Sequence, residues 1–152
     1  MKVLLLTVLA ALVVAAAVAA IWLKLREPTP QEKLAALEQE VGPSGGIVLR
    51  QELQGQPKAF LLQDCKLYML DASGPGKVTR TQVLQPGFYP WFTACTGQSI
   101  RFEAGYLRVE LSNMAFGAGG GNLSGGSYRS LDGLAWEKHT AKGWLAVDEA
   151  QD

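Results

Sequence analysis

Few side chains in this sequence carry reactive chemistry, and fewer fall at spacings that would let them act together. Cys65 and Cys95 are the only thiols and His139 is the only histidine. A Ser-His-Asp triad would need that histidine, and no local nucleophile motif accompanies it. Between Lys138 and Thr140 it reads as part of a solvated strand face. Glu103 and Glu110 flank a hairpin, and carboxylates opposed across two strands could serve as the acid and base of a glycosidase. Their alternation with apolar neighbours reads more simply as surface charge, with Arg101 and Arg108 on the same strands able to pair with them. Two cysteines and one histidine do not compose a zinc site. The sequence therefore predicts no catalytic residue, no metal and no cofactor.

The cysteines carry a structural prediction instead. They lie thirty residues apart in apolar, strand-like contexts, Leu61–Cys65 and Trp91–Cys95. An even count in a membrane-targeted chain favours a Cys65–Cys95 disulfide made in an oxidising compartment. Closing such a loop contributes about 3 kcal/mol in the chain-entropy model. The competing reading is a pair of buried free thiols in a cytoplasmic domain. There is no C-x-x-C to suggest a thioredoxin-like role.

Two segments offer contact surfaces. Phe88, Tyr89, Trp91 and Phe92 put four rings in five residues around Pro90, which marks an edge or bend. They read as core packed against Cys95, or as an aromatic rim for lipid, glycan or protein. The run Gly117–Gly126, with Gly119, Gly120 and Gly121 at its centre, fits neither G-x-G-x-x-G nor a P-loop. It reads as a loop between hairpins that could order on a partner. Ser130-Leu-Asp-Gly-Leu-Ala-Trp136 resembles the Asp-box turn of sialidase-type propellers, but it is one residue short and occurs once. An Asp-Gly hairpin accounts for it. Trp136 and Trp144 fall on successive expected strands and could pair across them. Asn122-Leu123-Ser124 is a glycosylation sequon, of consequence only in a cell that glycosylates its exports.

These residues need elements to hold them. Val3 to Leu23 is twenty-one residues without a charge, about 31 Å as a helix against a hydrocarbon core of about 30 Å. Trp22 suits the interface, and Lys24 and Arg26 can reach head groups. This predicts a transmembrane anchor over residues 1–26 that contacts membrane lipid through residues 3–23. Ala17-Val18-Ala19 also fits a signal-peptide cleavage pattern, although the apolar run continues past it. Thr29-Pro30-Gln31-Glu32 then opens a short amphipathic helix with a capping box, and Leu34, Leu37 and Val41 share one face. Gly42-Pro43 ends it, and Ser44-Gly45-Gly46 reads as a flexible joint, so residues 27–46 form a short helix and linker.

Residues 47–152 read as a β-rich domain, with short strands between turn residues. Expected strands are Ile47 to Leu53, one long or two short strands in Lys58 to Ala72, Lys77 to Leu84, Phe88 to Cys95, and Ser99 to Glu103. Tyr106 to Ser112, Ser127 to Leu131, Leu134 to Thr140, and Trp144 to Val147 follow. Thr96-Gly97-Gln98 and Asp132-Gly133 are expected turns. The fold class is mainly β: an anchor helix, a short helix, then a small antiparallel β-sandwich or barrel.

Charge excludes some functions. Eleven basic and fourteen acidic residues follow Arg26, a net charge near −3, which is no footprint for nucleic acid. The flanking charges of the apolar segment are nearly tied, so only the cysteine pair turns the domain out of the cytoplasm. The Ala- and Leu-rich, Lys-poor anchor has a bacterial character. The expectation is a single-pass protein of the inner membrane with a periplasmic domain, an accessory or interaction subunit of an envelope complex with no catalysis of its own. Its partner would be a protein. The alternatives are a secreted binding or inhibitor-like module released by signal cleavage, and a small carboxylate hydrolase.

Overall fold

The computed structural model describes residues 26–85, 87, 93–115 and 122–150. The apolar run 3–23, Trp22, Lys24, the cluster Phe88, Tyr89, Trp91 and Phe92, and Gly119, Gly120 and Gly121 lie outside the described residues. Among those described, no helix is long and apolar enough to cross a membrane.

Helix α1 runs Pro30–Val41, as its capping signals predict. The Glu32 N–H donates to the Thr29 hydroxyl and the Thr29 N–H donates back to the Glu32 carboxylate at 2.7 Å. Those bonds satisfy donors that a helix start leaves without partners. Leu34, Leu37 and Val41 are its buried stripe. A 3-10 turn, Gly42–Ser44, follows. The joint expected at residues 44–46 is pinned: the Ser44 hydroxyl and the Gly46 N–H both donate to the Val41 carbonyl. A Cβ on Gly46 would stand 2.7 Å from Val41 Cβ, so only glycine passes there.

Among the described residues, nine strands follow in two antiparallel sheets, each a simple meander. The first sheet is β1 Ile47–Leu53, β2 Gln56–Gln63, β3 Lys66–Asp71 and β4 Thr79–Leu84. The second is β5 Thr93–Glu103, β6 Tyr106–Ala115, β7 Asn122–Ser130, β8 Glu137–Thr140 and β9 Gly143–Ala146. Both contribute to one core, with Leu53, Phe60, Leu62, Leu67 and Leu84 against Leu107, Val109, Leu111, Tyr128 and Trp136. Strand β2 shows why its sequence is a continuous apolar run. Phe60 and Leu62 enter that core, while Ala59 and Leu61 point the other way, to a second cluster with Leu34, Leu37 and Val41 of α1. A strand covered on both faces has no polar alternation to display. The layers are thus helix, four-stranded sheet, five-stranded sheet.

The disulfide joins the two sheets. Cys65 and Cys95 are bonded, with Cα atoms 5.5 Å apart. Cys65 is not on a strand, as its context suggests, but in the β2–β3 turn. Asp64 and Cys65 both adopt positive φ there, at 51° and 56°, the backbone of a tight hairpin turn. The Gln98 side chain braces the same end: its Oε1 accepts from the Cys65 N–H at 2.9 Å and its Nε2 donates to the Gly45 carbonyl at 2.7 Å.

Three further expectations are corrected. Thr96-Gly97-Gln98 is not a turn, because β5 runs through it with a bulge between Cys95 and Gly97 that absorbs the irregularity. Asp132-Gly133 is not a two-residue hairpin, since six residues separate β7 from β8. The glycine-rich run is strand from Asn122 on. There Gly125 lies opposite Ser112, where a Cβ would come within 2.3 Å of the Leu111 carbonyl oxygen. That glycine serves close strand approach and not a mobile loop.

Candidate functional site

Alternation along β6 turns Leu107, Val109 and Leu111 inward and Tyr106, Arg108 and Glu110 onto the outer face of the five-stranded sheet. Register then sets Arg101 opposite Arg108, Arg108 opposite Arg129, and Arg129 opposite Glu137, in one row across four strands. Like charges directly opposite are unfavourable, so three abreast require compensation. Arg101 reaches Glu103 at 3.3 Å and Glu110 at 3.8 Å, and Arg108 Nε stands 3.5 Å from Glu103. Arg129 donates through Nε to Glu137. Its guanidinium also lies between two rings, 4.6 Å from the Tyr106 centroid and 4.4 Å from that of Trp144. Arg108 approaches Trp144 at 5.9 Å. His139, exposed on β8, completes the stack with its ring centroid 4.9 Å from that of Trp144. Cation–π contacts of this kind contribute about 0.5–2 kcal/mol each.

Arg129 is shared with a cavity of about 380 Å³ at the end of the sheets. Tyr106, Leu131, Trp136, Glu137 and Ala146 also line it. This is within the size range of small ligand or side-chain pockets, about 300–1,000 Å³. Its wall is the loop between β7 and β8, which an acid-centred turn fixes. Asp132 Oδ1 accepts from the Leu134 N–H, the Ala135 N–H and the Ser130 hydroxyl, while the Gly133 N–H donates to Ser130 Oγ. The Leu134 amide foremost, then Ala135, Ser130 and the Lys58 ammonium, hold the Asp132 carboxyl below its ordinary range. Gly133 is pressed on Phe60, where a Cβ would lie 2.4 Å from the ring. The residues that resemble an Asp-box thus build a closed turn, and its tryptophan enters the core. Trp136 is buried with its indole N–H unpaired among the described residues. Leu131 and Leu134, both about half exposed, stand on the same loop.

Trp136 and Trp144 do not pair, one being core and the other on the outer face. Glu103 and Glu110 are not opposed: their cross-strand neighbours are Tyr106 and Ser99, and Arg101 bridges them. Arg101 and Arg108 do pair with these carboxylates, as anticipated. Arg26 pairs with Glu32. The described residues hold no cluster of side chains suited to a metal ion. Sequence reasoning missed Arg129, Tyr106 and Trp144 as a unit. The sequence set Trp144 beside Trp136 and singled out neither Arg129 nor Tyr106; only the register of four strands makes the three neighbours. Comparison with family models, with curated proteins and with solved structures finds no match.

Proposed function

We propose that this chain is a single-pass membrane protein whose β-sandwich domain faces the periplasm and acts as an interaction subunit of an envelope complex, without catalysis of its own. The apolar length of residues 3–23 supports the anchor. The Cys65–Cys95 bond supports an oxidising compartment for the domain. One observation carries the interaction role: Arg129, held between Tyr106 and Trp144, borders both an open sheet face and a cavity rimmed by exposed leucine. Arginine, tyrosine and tryptophan are the residues over-represented where partners bind most strongly. A protein partner would seat an apolar side chain in the cavity and meet the Arg–Glu row with polar groups. The second reading, a secreted module, rests on Ala17-Val18-Ala19.

The test is purification of the intact chain from its native membranes in mild detergent. A partner should co-purify with the wild type, and Trp144→Ala should weaken it about 30-fold or more, the scale of a hot-spot loss. Arg50→Ala, on the other sheet, should leave it unchanged. Equal retention by both variants would sink the assignment of the face. A mature N-terminus near Ala20 would favour the secreted module.

A further inference from the structure

A second cavity, of about 370 Å³, runs between α1 and strand β4. We infer that it holds the phosphate of an anionic phospholipid headgroup, an inference that rests on the anchor reading above. Among the described residues, Thr79–Gln82 of β4 stay exposed beside helix α1. Arg80 lies opposite Leu70 in register, and Leu70 belongs to the cluster under α1. Its guanidinium therefore projects to the helix side, into the open strip. Lys77 joins it from the β3–β4 loop. Lys33 lines the cavity from the helix, and its ammonium is fixed by a 2.7 Å bond to the Gly74 carbonyl in that loop.

Three cations thus converge in a domain whose overall charge is negative. Two carboxylates share the lining, Glu32 and Glu40. Glu32 is already engaged: it accepts from the Thr29 N–H and hydroxyl and pairs with Arg26, and those bonds, the backbone one foremost, lower its pKa. Glu40 lies seven residues beyond Lys33, about 10 Å further along the helix. The basic end is the end where the chain enters.

Position selects the ligand. Pro28 lines the cavity's near end. Five residues carry the chain from Leu23, the last of the apolar run, to Pro28, a reach of at most about 18 Å. With residues 3–23 in the bilayer, that tether keeps the cavity's near end within reach of the headgroups. The floor is apolar, from Leu37 and Val78, which suits a headgroup carrying acyl chains better than a free anion. A basic side chain at an anionic surface is favoured by about 1 kcal/mol, roughly fivefold in occupancy.

The test uses the full chain reconstituted in bilayers of phosphatidylcholine alone, or mixed with phosphatidylglycerol. The readout is the acylation rate of individual lysines, with Lys142, exposed in the β8–β9 turn, as internal reference. Lys33 and Lys77 should react about fivefold more slowly in the anionic bilayer, and Lys142 should not change relative to bulk amine. In Lys77→Gln/Arg80→Gln, Lys33 should lose that protection while the disulfide and melting temperature stay as in the wild type. Equal rates in the two bilayers, with the chain still resistant to alkaline extraction, overturn the headgroup site and leave the anchor standing. Release of the chain by alkaline extraction overturns the anchor, and the site with it. Equal protection by inorganic phosphate over phosphatidylcholine overturns the lipid in favour of a soluble anion.

Discussion

Asp132 gathers three donors on one carboxylate oxygen and so fixes the wall of the cavity beside Arg129. Net of exchange with water, a hydrogen bond to a charged group contributes about 1.5–3 kcal/mol, and less where the group is exposed. Asp132 is partly exposed, so Asp132→Ala should cost about 1–3 kcal/mol at neutral pH, read by urea unfolding. Its folded pKa is depressed. The contribution is therefore complete above the ordinary aspartate range and is lost as pH falls through the folded value. The stability gap between wild type and variant should close on acidification across and below that range. A gap that stays constant with pH would mean that the turn depends on shape and not on charge. The motif was legible as Ser130, Asp132 and Trp136, but its loop length was not. An Asp-Gly pair suggests a two-residue turn, and nothing in the residue types declares that a buried tryptophan needs four residues more to reach the core.

Elements with strong local signals came through intact. The capping box and Pro30 define the start of α1, and its three apolar positions name the buried stripe. Strand β6 shows its two faces by alternation alone. What local signals leave out is pairing. The Gly97 bulge, the strand role of Gly125 and the arginine row all follow from register, which is a relation between strands. At this scale α1 is a separate unit, since its contacts form a cluster apart from the main core. Leu37→Ala should cost about 2–4 kcal/mol, as buried leucine truncations do. Amide exchange should accelerate first in α1, with β6 and β7 still protected. Uniform acceleration throughout would show that helix and sheets unfold as one.

For the whole molecule, the disulfide is a covalent cross-link between two sheets that are also held by side-chain packing and by hydrogen bonds from the Cys65 N–H to Gln98 and from Lys58 to the Asp132 carbonyl. Replacing both cysteines by serine should cost about 3–4 kcal/mol, the loop-closure value for a separation of 30 residues. Equilibrium unfolding of the double variant checks this. A loss under about 1 kcal/mol would mean that the reduced chain is already held compact. The pairing itself was legible from an even thiol count and the apolar N-terminal run. That the apolar stripe of the short helix rests on its own domain was also the favoured reading, but which sheet it covers was not legible. That choice is visible only in the two-sided burial of Ala59–Leu62.

The meander topology has a consequence for how the chain matures. Each sheet is contiguous in sequence, the first ending at Leu84 before the second begins at Thr93. A chain delivered across a membrane from its N-terminal end would complete α1 and the first sheet while the second was still in transit. Cys65 would then wait, already in its turn, for a thiol that arrives thirty residues later. Cys95 lies on β5, the first strand of the second sheet, so in that order the bond is able to form before β6–β9 arrive and to tie the strand that begins the second sheet to the finished first one.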